Sequence, residues 1–170
     1  MPLDDVGRAQ AKTLAGALQG QIQAVITSDL QRASETARIV ADVLRIPVLG
    51  EDPDLRERGY GVFEGLTREE CIQRFPAAWA ARERERNHEP PGGEPRTQVL
   101  ARMQRGLDRA VATLRPRYQR ALVVSHGSSL RMFLEALTGG PVVSIANLEY
   151  RQVRHDGSRF ELVLSNGDLT

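Results

Sequence analysis

Ala121-Leu-Val-Val-Ser-His-Gly-Ser-Ser-Leu-Arg-Met-Phe-Leu134 is the stretch around which the rest of the chain is arranged. Ala121 to Val124 read as a short buried strand, and His126 and Gly127 stand at its carboxyl end. An amphipathic helix begins almost at once. In open α/β sheets, ligands bind beyond the carboxyl ends of the strands. A helix amino terminus at that point adds unpaired N–H groups and a partial positive charge, both suited to phosphate. A histidine at such a mouth is either a catalytic or ligand-binding group or a hydrogen-bonded structural one, and this segment alone leaves both open.

Working outward, the chain alternates strand and helix. Asp4 or Asp5 caps a first helix with Val6, Ala9, Leu14, Ala17 and Leu18 on one stripe, ended by Gly20. Ala24 to Thr27 is a β-branched run that predicts a buried strand, and Ser28 to Ala37 is a loop running into a helix. Pro47 to Leu49 predicts a second short strand. This alternation points to βαβ units and a mostly parallel sheet. Asp54 to Gly65 is a glycine-containing loop, Thr67 to Glu70 has the spacing of a capping box, and Pro76 interrupts the helix that follows. Trp79 is expected to pack under the next turn. Arg82 to Arg86 reads as a solvated helix face and Asn87 to Pro95 as a surface loop. Val99, Met103, Leu107, Ala110, Val111 and Leu114 recur at helical spacing. Asp156-Gly157, between Asn147–Val153 and Phe160–Leu164, signals a hairpin.

The 170 residues carry a formal net charge of +1, which gives no reason to expect a nucleic-acid or membrane partner. Cys71 is the only cysteine, which excludes an internal disulfide and a cysteine-rich zinc site. There is no leader-like start and no apolar run long enough to span a bilayer. The expectation is one domain over residues 1–170, soluble and cytoplasmic, with neither metal nor cofactor.

Four segments at strand ends or in long loops carry groups suited to chemistry. Ser28 and Arg32 follow the first strand, Glu57 sits in the glycine loop, Glu94 lies in the Pro-Gly loop, and His126 follows the central strand. An arginine there can hold phosphate oxygens as a charged fork, although a lone arginine in a first turn is also common surface decoration. Glu57, between Arg56 and Arg58, is either a solvated loop charge or an acid placed to protonate a leaving oxygen. Together, Thr27–Ala37, Leu55–Gly65, Gly92-Gly-Glu94 and Val124-Ser-His-Gly127 resemble, in order and spacing, the histidine phosphatase superfamily, the phosphoglycerate-mutase-like fold. The resemblance extends to the first helix and covers nearly the whole chain.

The resemblance implies a three-layer α/β fold, with a mostly parallel central sheet flanked by helices. It implies metal-free phosphoryl transfer through a phosphohistidine, with a small phosphorylated metabolite as substrate. Arg32 would hold the phosphate, Glu57 would serve as general acid and then activate water, and His126 would donate to the phosphoryl oxygens. The backbone N–H of Gly127 would add a donor, and preorganised donors of this kind suit the developing charge. Tyr60 and Glu94 would shape the substrate site from its edge. The family's defining Arg-His-Gly triplet, which bears the nucleophile, is not in this chain; the histidines are His88, His126 and His155. The resemblance places that triplet at the end of a first central strand, beside the strand ending at His126. Its absence predicts an amino-terminal truncation, a start codon placed late or a shortened gene. About five buried apolar side chains, ~10 kcal/mol, would be lost with it. The gap would be filled by strand exchange or a homodimer. The leading expectation is therefore a phosphomonoesterase whose nucleophile lies outside this chain. Alternatives are a phosphoglycerate-type mutase, which Tyr60 favours, a noncatalytic phosphoester-binding module, or a globular protein whose motifs are relics.

Overall fold

β1 (Ala24–Thr27) lies at the middle of a parallel three-stranded sheet, with β2 (Val48–Glu51) on one side and β3 (Ala121–Val124) on the other. The structure is a computed structural model that describes residues 2–85, 87–115, 117–142, 145–147 and 149–165. α1 (Asp5–Ala17) precedes β1, and α2 (Gln31–Leu44) joins β1 to β2. α3 (Arg68–Arg74), α4 (Pro76–Arg84) and α5 (Arg96–Leu114) lead into β3, and α6 (Gly127–Thr138) leaves it. β4 (Arg151–His155) and β5 (Phe160–Ser165) form an antiparallel hairpin.

Side chains alternating along the strands divide the core into two faces. Val25, with Leu122 and Val124, packs against Ala15 of α1 and against Ala37, Val40 and Ala41 of α2. Ile26 and Val123 point the other way, onto Met103, Leu107 and Ala110 of α5 and Met132 and Phe133 of α6. Helices thus cover both faces of the sheet in three layers. Each fully buried valine, such as Val25 or Val40, contributes about 1.5–3 kcal/mol to this packing.

Local signals set the element ends. Asp4 caps α1 by accepting from Gly7 N–H at 2.7 Å, and Thr67 and Glu70 form the expected reciprocal capping box of α3. Pro76 separates α3 from α4, where Trp79 packs edge-on against Phe63 at 5.6 Å. Three expectations need correction. β2 runs two residues further than Pro47–Leu49, because parallel pairing with β1 continues to Glu51. The loop from Asp54 to Gly65 contains two 3-10 turns, at Pro53–Leu55 and Gly61–Phe63. β3, read as buried, is half-buried at all four residues, whereas all four residues of β1 are buried. The reason is pairing: β1 has a neighbour on each side, and among the described residues β3 pairs with β1 alone. The hairpin forms a separate sheet, held to α6 through Phe160 lying edge-on to Phe133 at 5.9 Å. No helix among the described residues is long and apolar enough to cross a membrane.

Candidate active site

The carboxyl ends of β1 and β3 are joined by the Ser28 N–H, which donates to Val124 O at 2.8 Å. This contact sets fully buried Ser28 beside His126, the residue that precedes α6. Arg32, the second residue of α2, reaches across so that its Nη2 is 3.0 Å from His126 Nδ1. A guanidinium keeps its protons, so Nδ1 is the acceptor and the imidazole proton sits on Nε2. Nε2 is 2.9 Å from Ser28 Oγ, which receives it. Burial first, and then the Arg32 charge, push the pKa of His126 from 6.5 down to about 4. The ring is neutral at pH 7 and oriented from both nitrogens.

Glu57 fills the start of α6. Its Oε1 accepts from Ser129 N–H at 3.0 Å and from its neighbour Arg58 N–H at 2.9 Å, and its Oε2 accepts from Ser128 N–H at 3.2 Å. His126 gives no side-chain cap, so this carboxylate from a distant loop satisfies the orphan amides of the first turn. Of the two sequence readings of Glu57, the solvated loop charge fails: the side chain is turned inward. The N–H of Gly127 has no acceptor among the described residues, and Gly127 is exposed. Arg32 Nε and Nη1 likewise bond to nothing described. An open cluster of donors therefore stands beside His126, with a carboxylate one turn along.

Tyr60 and Glu94 lie at the edge of this cluster. The Tyr60 hydroxyl meets Ser128 Oγ, and its ring lies beneath Arg58 and Arg82 at 5.9 and 5.8 Å. Arg82, read as part of a solvated face, is half-buried because it also stacks on Trp79 at 4.8 Å. Glu94 is turned toward the protein. Its carboxylate accepts from Arg102 Nε at 2.6 Å, Arg102 Nη2 at 2.8 Å and Gly59 N–H at 3.2 Å. Burial pushes the Glu94 carboxyl up, but the Arg102 and Gly59 hydrogen bonds outweigh it and hold the group below the usual range. Ser28, Arg32, Glu57, Gly127 and His126 are thus brought together, while Tyr60 and Glu94 border them.

Arg102 and Ser129 are absent from the sequence reading. Ser129 is fully buried, and its hydroxyl donates to Arg56 O at 2.9 Å. An arginine facing the buried side of an amphipathic helix was the available signal for Arg102, since such a charge must find partners inside. The expected surface loop from Asn87 to Pro95 also packs: Pro90 is buried, and Asn87 bonds Arg131 and Glu135. Gly61 holds this loop close, with φ +53° and a Cβ position only 2.3 Å from Pro91 O. Gly61→Ala should cost about 2 kcal/mol or more, read by urea unfolding, because it imposes both a left-handed strain and a backbone clash. Two cavities, of about 390 and 520 Å³, lie at the β2 edge and near the start of α2, and neither is lined by His126 or Glu57.

The sequence profile of the histidine phosphatase superfamily (branch 1) matches residues 1–168. The chain belongs to the histidine phosphatase superfamily. A bifunctional protein of Mycobacterium tuberculosis is 37% identical over 179 residues, covering 98% of this chain and 48% of its own length. The chain spans about half the length of this and the other mycobacterial relatives it matches. A metal-independent phosphoserine phosphatase of Arabidopsis thaliana is 34% identical over 140 residues, covering 80% of this chain and 58% of that protein. Among solved structures, a mycobacterial glucosyl-3-phosphoglycerate phosphatase superimposes with a TM-score of 0.82 at 28% identity, covering 98% of this chain and 88% of that one. Histidine phosphatases of this group include both phosphatases and phosphoglycerate mutases, and the fold expected from the motifs is the one found.

Proposed function

We propose that this histidine phosphatase domain binds the phosphoryl group of a small phosphomonoester and serves its hydrolysis. The observation that carries this is the convergence of the Arg32 guanidinium and the open Gly127 N–H at the start of α6, around the neutral His126 ring that orients Arg32, with the Glu57 carboxylate on the next two amides. A phosphoryl group gains charge on its equatorial oxygens during transfer, and fixed donors meet that charge without reorganising. Glu57 would protonate the leaving alcohol and then take a proton from the attacking water. The nucleophilic histidine is not His126, whose ring is already engaged by Arg32 and Ser28. His155 stacks against Phe160 in the hairpin, and no described contact joins His88 to the cluster. In this reading a strand supplies it from beside β3, on the edge where no strand among the described residues pairs with β3.

Mutase chemistry is the second reading, favoured by Tyr60 at the rim of the cluster, where a sugar acid could be held. Hydrolysis is preferred because the cluster opens to solvent at Gly127 and Arg32, and a mutase must exclude water. Phosphoserine and glucosyl-3-phosphoglycerate, the substrates in the names of two relatives, mark the range of small phosphorylated metabolites to test.

Calorimetric titration with inorganic phosphate tests the binding part. Arg32→Ala should weaken binding about 10- to 100-fold, the loss of one charge-assisted hydrogen bond at about 1.5–3 kcal/mol. The same chain should hydrolyse p-nitrophenyl phosphate no faster than background. Turnover that Glu57→Ala abolishes would overturn the external nucleophile.

A further inference from the structure

We infer that Arg102 is a positioning residue for the Glu57 carboxylate, acting with Glu94 as a bracket around the loop that carries it. The inference rests on the reading of Glu57 as the proton-transfer group. Arg102 lies on α5, with a side chain only 11% exposed, and its guanidinium directs donors at three successive stations of that loop. Nη1 reaches Asp54 O at 2.8 Å and Arg56 O at 2.7 Å, and Nη2 reaches Glu57 O at 3.2 Å. Carbonyls in an irregular loop have no ladder partners, and a planar fork of five N–H groups can satisfy several at once.

The other half of the bracket is Glu94. Held by Arg102 on two sides, it accepts from Gly59 N–H, and its own N–H donates to Gly59 O at 2.9 Å. Residues on both sides of Glu57 are therefore fixed by one ion pair. The bracket also extends to α6. Arg102 Nη2 is 3.3 Å from Ser129 Oγ, and Ser129 gives its N–H to Glu57 Oε1. Arg102 thus touches the acid's backbone and the hydroxyl beside its carboxylate, while making no described hydrogen bond to Arg32, His126 or Gly127; its charge reaches His126 only through space.

Arg105 and Arg109 continue the same face of α5 but act differently. They pair with the side chains of Asp52 and Asp54 and are 58% and 52% exposed. Such exposed pairs tie the loop's beginning down weakly. Arg102 is the most enclosed of the three and reaches the segment at the acid itself. Its consequence is angular: an acid displaced by about 1 Å from its proton-transfer position can lose on the order of 10²-fold in rate.

The test is a ¹⁵N-detected pH titration of the whole chain. Because Glu57 accepts the Ser128 and Ser129 N–H groups, their amide shifts should follow its protonation, and Glu57→Gln should abolish that response. In Arg102→Lys and Glu94→Gln, the response at both amides should fall by half or more while the core amides of Val25 and Met103 stay dispersed. Arg105→Ala should leave it unchanged. Folded variants with the parent response, an equal loss in Arg105→Ala, or unfolding of both bracket variants would each overturn the inference; unfolding would assign the pair to folding alone. Phosphate added to the parent sample keeps the two readings apart. No binding there defeats the proposed function, while a response lost in the variants but intact in the parent still supports the bracket.

Discussion

Arg102→Ala should lower the stability of the chain by about 3 kcal/mol, the low end of the range for removing one partner of a buried ion pair, because this pair is partly exposed. The alanine leaves the Glu94 carboxylate without its fork and strips a donor from the carbonyls of Asp54, Arg56 and Glu57. For a domain of this size the melting temperature should fall by about 10 °C. Arg38→Ala is the matched control. Arg38 also pairs with a glutamate, Glu51, at 3.1 Å, but its side chain is 68% exposed. Its loss should stay within about 1 kcal/mol. Differential scanning calorimetry of the two variants reads the contrast directly, and equal shifts would contradict the burial argument.

Mild acid should destabilise the protein through His126. Its pKa lies near 4 in the folded chain against 6.5 for the free side chain, chiefly because the ring is buried and then because Arg32 faces it. Glu57 and Asp29 pull the other way, and Arg102 adds to Arg32. The unfolded chain therefore binds the extra proton first. Stability from this group is complete above about pH 6.5 and is lost as pH falls from there toward 4, about 3 kcal/mol in all. Between pH 7 and pH 5 the loss is about 2 kcal/mol, above the range where the carboxylates paired with Arg56, Arg102 and Arg109 start to be protonated. Urea unfolding at the two pH values should show it. His126→Asn should flatten the dependence, whereas an unchanged slope would mean that the ring is not held neutral.

Much of the frame could be read from the order of residues, because its signals are local. Ala24 to Thr27 is β-branched, Val99 to Leu114 repeats at helical spacing, and Asp4 or Asp5 and Thr67 are strong cap candidates. Each gave the element where the structure has it. Arg32, Glu57 and His126 came from motif order, and they do meet at the start of α6. What sequence could not show was pairing across distance. Ala121 to Val124 looks like a fully covered strand, but coverage depends on which strands flank it, and among the described residues β3 has one neighbour. Arg82 looked solvated because Tyr60, one of its two ring partners, is brought to it by tertiary packing, while the other, Trp79, lies one turn earlier on the same helix. Arg102 was hidden for the same reason: its acceptors are backbone carbonyls some 45 residues upstream, in a segment without periodicity.

The convergence at the head of α6 is tested most directly by mapping where inorganic phosphate binds. Amide spectra recorded through a phosphate titration should move Gly127 and Ser128 first, together with the Arg32 side-chain Nε–H, and Arg32→Ala should abolish that saturable response. Saturable shifts confined to other surfaces, or the same response at Gly127 in Arg32→Ala, would contradict a phosphoryl site built from these residues.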